Sequence, residues 1–168
     1  MDLQKVLLKE HSKAQTDKVI KWVGNDKKRF AELMRLFFIG EYRLTQRSAW
    51  PMSYCVIAHP ELIKPYYPKL IKLLKTPGVQ DAVSRNIVRM LQEVEIPEKY
   101  QGEIMTICFD FISNPNTAVA VKAFSLTILE HLAKSYPEII PELKLIIQER
   151  WELETAAFRQ RSKRILKM

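Results

Sequence analysis

The dipeptide Pro-Glu recurs at Pro60-Glu61, Pro97-Glu98 and Pro137-Glu138, at intervals of 37 and 40 residues. A fixed period of that length restricts a chain to a stack of similar supersecondary units, because each unit buries its apolar face only against the next. More than the dipeptide carries the period. Arg85 follows Pro60 by 25 residues, Lys122 follows Pro97 by 25, Arg161 follows Pro137 by 24, and Arg47 precedes Arg85 by 38. Seven residues before Arg47, Arg85 and Lys122 stand Gly40, Gly78 and Pro115, each a breaker between two helices. Apolar residues keep the same frame: Leu33, Ile71, Cys108 and Ile147 lie fourteen before the basic positions, and Leu36, Leu74 and Phe111 lie eleven before.

Each unit therefore reads as a helix of about fifteen residues, a turn, a second helix of similar length and a linker carrying Pro-Glu. Proline is tolerated there because a first-turn amide has no intrahelical acceptor, and the acid after it complements the helix dipole. The pattern predicts helices at 3–12, 13–23, 26–39, 42–57, 61–75, 79–94, 98–113, 117–134, 138–152 and 154–166. Asn25 reads as an N-cap behind Gly24, as does Asn116 or Thr117 behind Pro115. The units divide at 26–58, 60–95, 97–135 and 137–168. Residues 1–23 form an N-terminal helical cap, since Leu3, Val6, Leu7, Val19, Trp22 and Val23 make a partial apolar stripe. Composition agrees: 47% hydrophobic residues supply a core for 168 residues, and four glycines do not suit a loop-heavy β-sandwich. The fold class is all-α, one domain. Leu33, Leu36, Ile71, Leu74, Ile87, Leu91, Ile107, Phe111, Phe124, Ile128, Leu129 and Ile147 are expected inside.

The segment from His59 to Leu74, with the helix Ala82-Val-Ser-Arg-Asn-Ile-Val-Arg-Met-Leu after it, resembles a HEAT or armadillo-type repeat. The run Asn116-Thr-Ala-Val-Ala-Val-Lys-Ala-Phe-Ser-Leu-Thr-Ile-Leu is similar to the second helix of such a unit. The resemblance covers about residues 26–168 and implies a short right-handed α-α superhelix whose second helices line a concave face. Two departures stand out. Pro51 falls inside a second helix, where it should kink the helix or remove a turn, and the last unit has no glycine or proline between its helices.

The formal charge is +8, distributed as +5 over residues 1–60, zero over 61–115 and +3 over 116–168. That excess favours acidic partners. The longest apolar runs, such as the stretch from Leu33 to Ile39, are interrupted by charge well short of the length that spans a bilayer, and the N-terminus lacks the apolar region of a secretory signal, so a cytoplasmic location is expected. Cys55 and Cys108 sit in apolar helical segments and read as buried reduced thiols.

No sequence motif assigns a reaction. There is no Gly-rich phosphate loop, no Gly-x-Ser-x-Gly elbow and no His-Glu-x-x-His, so no enzyme activity, cofactor or metal is implied. His11, His59 and His131 are isolated, and His59 before Pro60 suits a helix boundary. Glu93 and Glu95 alternate across a helix rather than pairing. Among the aromatics Trp22, Trp50, Trp151, Tyr54, Tyr66 and Tyr67, most belong to packing; Tyr67 is on the apolar frame and Tyr66 is the candidate for exposure.

The basic side chains carry the binding signal. Arg43, Arg47, Arg85, Arg89, Lys122, Arg159, Lys163 and Arg164, with Arg161, fall on successive second helices, where they would line one groove as a positive stripe. The structural alternative is that Arg47, Arg85 and Lys122 tie neighbouring units together, as the resemblance implies for this repeat position. Arg47 and Arg85 are expected to engage Asp81 and junction backbone, leaving Arg43 and Arg89 freer. Two functions follow. One is a non-enzymatic interaction module that binds a protein or peptide; the other is a nucleic-acid-binding solenoid similar to the HEAT-like DNA alkylation-repair glycosylases. The first is favoured, because the acid and groove aromatics of that family have no matching positions here.

Overall fold

The computed structural model describes residues 1–39 and 41–168, so the breaker read at Gly40 lies outside the described residues. Among the described residues the chain forms ten α-helices and no strand. They are α1 (Leu3–Lys9), α2 (Lys13–Val23), α3 (Lys27–Phe38), α4 (Tyr42–Ala58), α5 (Tyr67–Lys75), α6 (Asp81–Leu91), α7 (Glu98–Ser113), α8 (Val119–Ser135), α9 (Ile140–Arg150) and α10 (Ala156–Leu166). Helices pack in consecutive pairs, α3 with α4, α5 with α6, α7 with α8 and α9 with α10. The second helices form one layer in the series α4, α6, α8, α10, while α5, α7 and α9 form the other. Both α1 and α2 pack on α3 and α4, burying Leu3, Leu7, Val19 and Val23.

Proline chemistry accounts for the main departures from the expected elements. The helix expected over 61–75 is a 3₁₀ turn at Pro60–Tyr66 followed by α5, and the one over 138–152 is a 3₁₀ turn at Pro137–Ile139 followed by α9. Pro65 and Pro68, like Pro141, lack the amide that an α-helix needs in its interior, so the chain turns tightly and restarts with proline in the first turn. Pro51 behaves otherwise: α4 runs on from Tyr42 to Ala58 with Pro51 buried inside it. This helix is flanked by α1, α2, α3, α6 and the 3₁₀ turn, so packing on several sides overrides the local penalty. The expected helix over 79–94 stops at Leu91, which places Glu93 and Glu95 beyond its end.

Capping differs in detail as well. Gly24 takes a positive φ of 52°, and Asp26, not Asn25, caps α3 by accepting from the amides of Lys28 at 2.8 Å and Arg29 at 3.0 Å. Those bonds, Arg29's foremost, hold the Asp26 carboxyl below its usual range. Ala118 rather than Asn116 or Thr117 occupies the N-cap of α8, and it offers no side-chain bond. Of the residues expected inside, Phe111 and Phe124 are half-buried and the rest are buried. Phe124 keeps one face for the Arg161 guanidinium, which stands 5.0 Å above the ring.

Candidate functional site

On α4, Arg43, Gln46, Trp50 and Tyr54 recur every three or four residues and so share one face. On α6, Ala82, Arg85, Asn86 and Arg89 do the same. Packing of α4 against α6 brings the two faces together around a cleft of about 290 Å³ lined by His11, Gln46, Trp50, Ala82, Arg85, Asn86 and Arg89. His11 reaches it from the α1–α2 turn and stacks on Trp50, with ring centroids 5.9 Å apart.

The four arginines of this region play different parts. Arg47 Nη1 donates to the carbonyls of Leu7 at 3.0 Å and Leu8 at 2.8 Å, tying α4 to the last turn of α1. Arg89 is half-buried: its Nη2 donates to Ser53 Oγ at 2.6 Å, and its guanidinium lies 5.1 Å over the Tyr54 ring. Burial, with the Arg85 charge adding to it and Tyr54 opposing, lowers the Arg89 pKa from its ordinary value. Arg43 and Arg85 are exposed, and neither has an ion-pair partner among the described residues. The expected division is thus corrected at Arg85 and Arg89: Arg89 is tied along with Arg47, and Arg85, like Arg43, has no ion-pair partner among the described residues. Asp81 pairs with neither Arg47 nor Arg85 among the described residues, and Glu41 caps α4 by accepting from the amides of Arg43 and Leu44.

Two donors at this cleft are left over. Trp50 Nε1 and Arg89 Nε are buried with no hydrogen-bond partner among the described residues. A buried donor without a partner costs about 1–3 kcal/mol, more when charged.

The remaining basic residues stand elsewhere. Lys122 is 3% exposed, and its Nζ sits 2.8 Å from Glu154 Oε1 and 3.4 Å from the Pro115 carbonyl, so it is a junction residue and not part of an accessible stripe. Arg159 Nη1 donates to the Trp151 carbonyl at 3.2 Å, and Arg161 Nη1 donates to Gln92 Oε1 at 3.0 Å and Thr127 Oγ1 at 2.5 Å. Arg164 Nε lies 3.5 Å from Glu130 Oε2, and Lys163 Nζ donates to Gln160 Oε1 at 3.3 Å. The stripe is therefore interrupted at α8. Tyr66 is half-buried, stacked on Phe38 and edge-on to Phe30, and burial raises its hydroxyl pKa; the exposed tyrosines are Tyr42 and Tyr54.

His11, Gln46 and Asn86 are the cleft residues that sequence reading did not single out. Gln46 and Asn86 were recoverable from helical spacing to Arg43 and Ala82, but nothing local marks His11, which arrives from another element.

A family model described as HEAT repeat domain matches residues 3–168. No curated protein and no solved structure gives a significant match.

Proposed function

Because the chain belongs to the HEAT repeat family, whose helix pairs present extended binding surfaces, we propose that it is an interaction module holding an acidic segment of a partner protein on the layer formed by α4 and α6. One observation carries the reading: Arg43 and Arg85 are exposed and lack acidic partners among the described residues, Arg43 on the α4 face that also bears Trp50 and Tyr54, and Arg85 lining the cleft with Trp50. Free guanidiniums and aromatic side chains on one helical layer suit a ligand that brings both carboxylates and apolar contact. Crowding of Arg85 on Arg89 adds a driving force, since an anion relieves like-charge repulsion. Residues 1–23 cap the stack at this end and lend His11 to the cleft. Free, buried Cys55 and Cys108 suit a reducing compartment such as the cytoplasm, and no described helix is long and apolar enough to cross a membrane.

Nucleic acid is the weaker reading, because Lys122 and Arg161 spend their donors inside the protein and leave no continuous track for a phosphate backbone. Fluorescence anisotropy with a labelled glutamate-rich peptide and with duplex DNA, each at low and moderate salt, separates the two. Saturable peptide binding stronger than duplex binding is expected. Tighter duplex binding with a steep salt dependence would reverse the assignment.

A further inference from the structure

We propose that the cleft between α4 and α6 is a seat for one carboxylate of the bound acidic segment, with Trp50 Nε1–H and Arg89 Nε–H donating to its oxygens. The inference rests on the acidic-segment reading and gives that reading an anchor. Both nitrogens belong to cleft residues, both are buried, and neither has a protein acceptor among the described residues. Two neighbouring donors are already engaged, Arg89 Nη2 by Ser53 and Asn86 Nδ2 by the Ala82 carbonyl at 2.7 Å, while Arg85 lines the cleft without an ion-pair partner among the described residues. What the cleft lacks is a negatively charged acceptor, and its charge is supplied by Arg85 and Arg89 together. A carboxylate satisfies both donors at once with charge-assisted bonds, which are the stronger kind.

Both nitrogens are shut off from solvent, so occupation needs a shift at the rim. His11 is a mobile part of that rim: its side chain is exposed, stacks on Trp50, and has no ion pair among the described residues. Exposed side chains change rotamer within nanoseconds, so His11 can move aside on that timescale. Trp50 then serves twice, its ring packing against the apolar part of the ligand and its N–H fixing the carboxylate.

The test uses the full ¹⁵N-labelled chain, whose three tryptophans give three indole N–H signals. Sodium glutarate is titrated against sodium chloride at matched ionic strength, with inorganic phosphate as a third arm. One indole signal, identified by its loss in Trp50→Phe, should shift saturably with glutarate and not with chloride. Arg89→Lys keeps the charge but removes Nε–H, and it should weaken glutarate by roughly tenfold or more, the usual effect of losing a hydrogen bond to a charged group. A stationary Trp50 signal, or an equal shift with chloride, overturns the seat. Phosphate binding tighter than glutarate overturns the carboxylate assignment. If Arg89→Lys fails to fold, Trp50→Phe decides alone: its affinity for the glutamate-rich peptide should fall, and an unchanged affinity overturns the seat. A peptide that binds the wild-type chain while glutarate leaves Trp50 unmoved removes the seat and spares the interaction reading. Glutarate saturation without peptide binding does the reverse.

Discussion

Lys122 Nζ lies 2.8 Å from Glu154 Oε1, with both side chains about 95% buried, and the bond joins α8 to the turn that leads into α10. Glu154 also accepts from Arg150 Nε at 2.7 Å, so one carboxylate serves two cations at the junction of the last two helix pairs. Removing the carboxylate strands both. Glu154→Ala should therefore cost about 3–5 kcal/mol, as breaking a buried pair from one side does. Lys122→Met should be milder, because Glu154 keeps Arg150. Urea melts of the two variants check this, and equal losses would show that the carboxylate is not shared.

Arg47 ties α4 to the end of α1 by two carbonyl bonds. Arg47→Ala should lower stability by about 1–3 kcal/mol and release α1 preferentially, since the lost bonds satisfied carbonyls at the helix end. Hydrogen exchange is the readout. Amides over residues 3–9 should exchange faster than those of α7, and uniform acceleration would argue against a local tie.

Phe158 is fully buried in α10 while Phe111 is half-buried at the end of α7. Phe158→Ala should cost about 3–5 kcal/mol and Phe111→Ala less, because the cavity term applies only where surroundings cannot relax into solvent. A reversed order in denaturant midpoints would place the core differently.

Burial pushes the thiols of Cys55 and Cys108 up to about 12 from 9.0. Burial disfavours the thiolate, so the folded chain stays protonated where the unfolded chain ionises, and stability present below about pH 9 declines as pH rises through the window toward 12. A thiol reagent at neutral pH should label neither cysteine until denaturant is added. Rapid labelling of the native chain would contradict their burial.

The repeat period, the helix content and most of the core were legible because all three are set by local spacing: Leu33, Ile71 and Ile147 fall on one frame and are buried together. The 3₁₀ turns were hidden by reading Pro60-Glu61 as a helix start without weighing Pro65 and Pro68 behind it. At the site, spacing placed Arg43 with Arg47 and Arg85 with Arg89, but which side chain is tied depends on what lies opposite. Arg89 meets Ser53 and Tyr54 across the α4–α6 contact, and Arg85 faces outward. No property of the residues alone distinguishes them. For the same reason Arg43→Glu with Arg89→Glu, the substitution pair the sequence suggests, would disturb packing at Arg89, and the surface variant is Arg43→Glu with Arg85→Glu.

That variant supplies the most direct measurement of the central claim, that α4 and α6 hold an acidic segment through Arg43 and Arg85. Anisotropy is recorded for wild type and Arg43→Glu/Arg85→Glu with a glutamate-rich peptide and with its lysine-rich counterpart. The variant should melt like wild type, lose the acidic peptide by roughly tenfold or more and gain affinity for the basic one, as reversing charge at a complementary surface requires. Wild-type binding of the acidic peptide by the variant would contradict it.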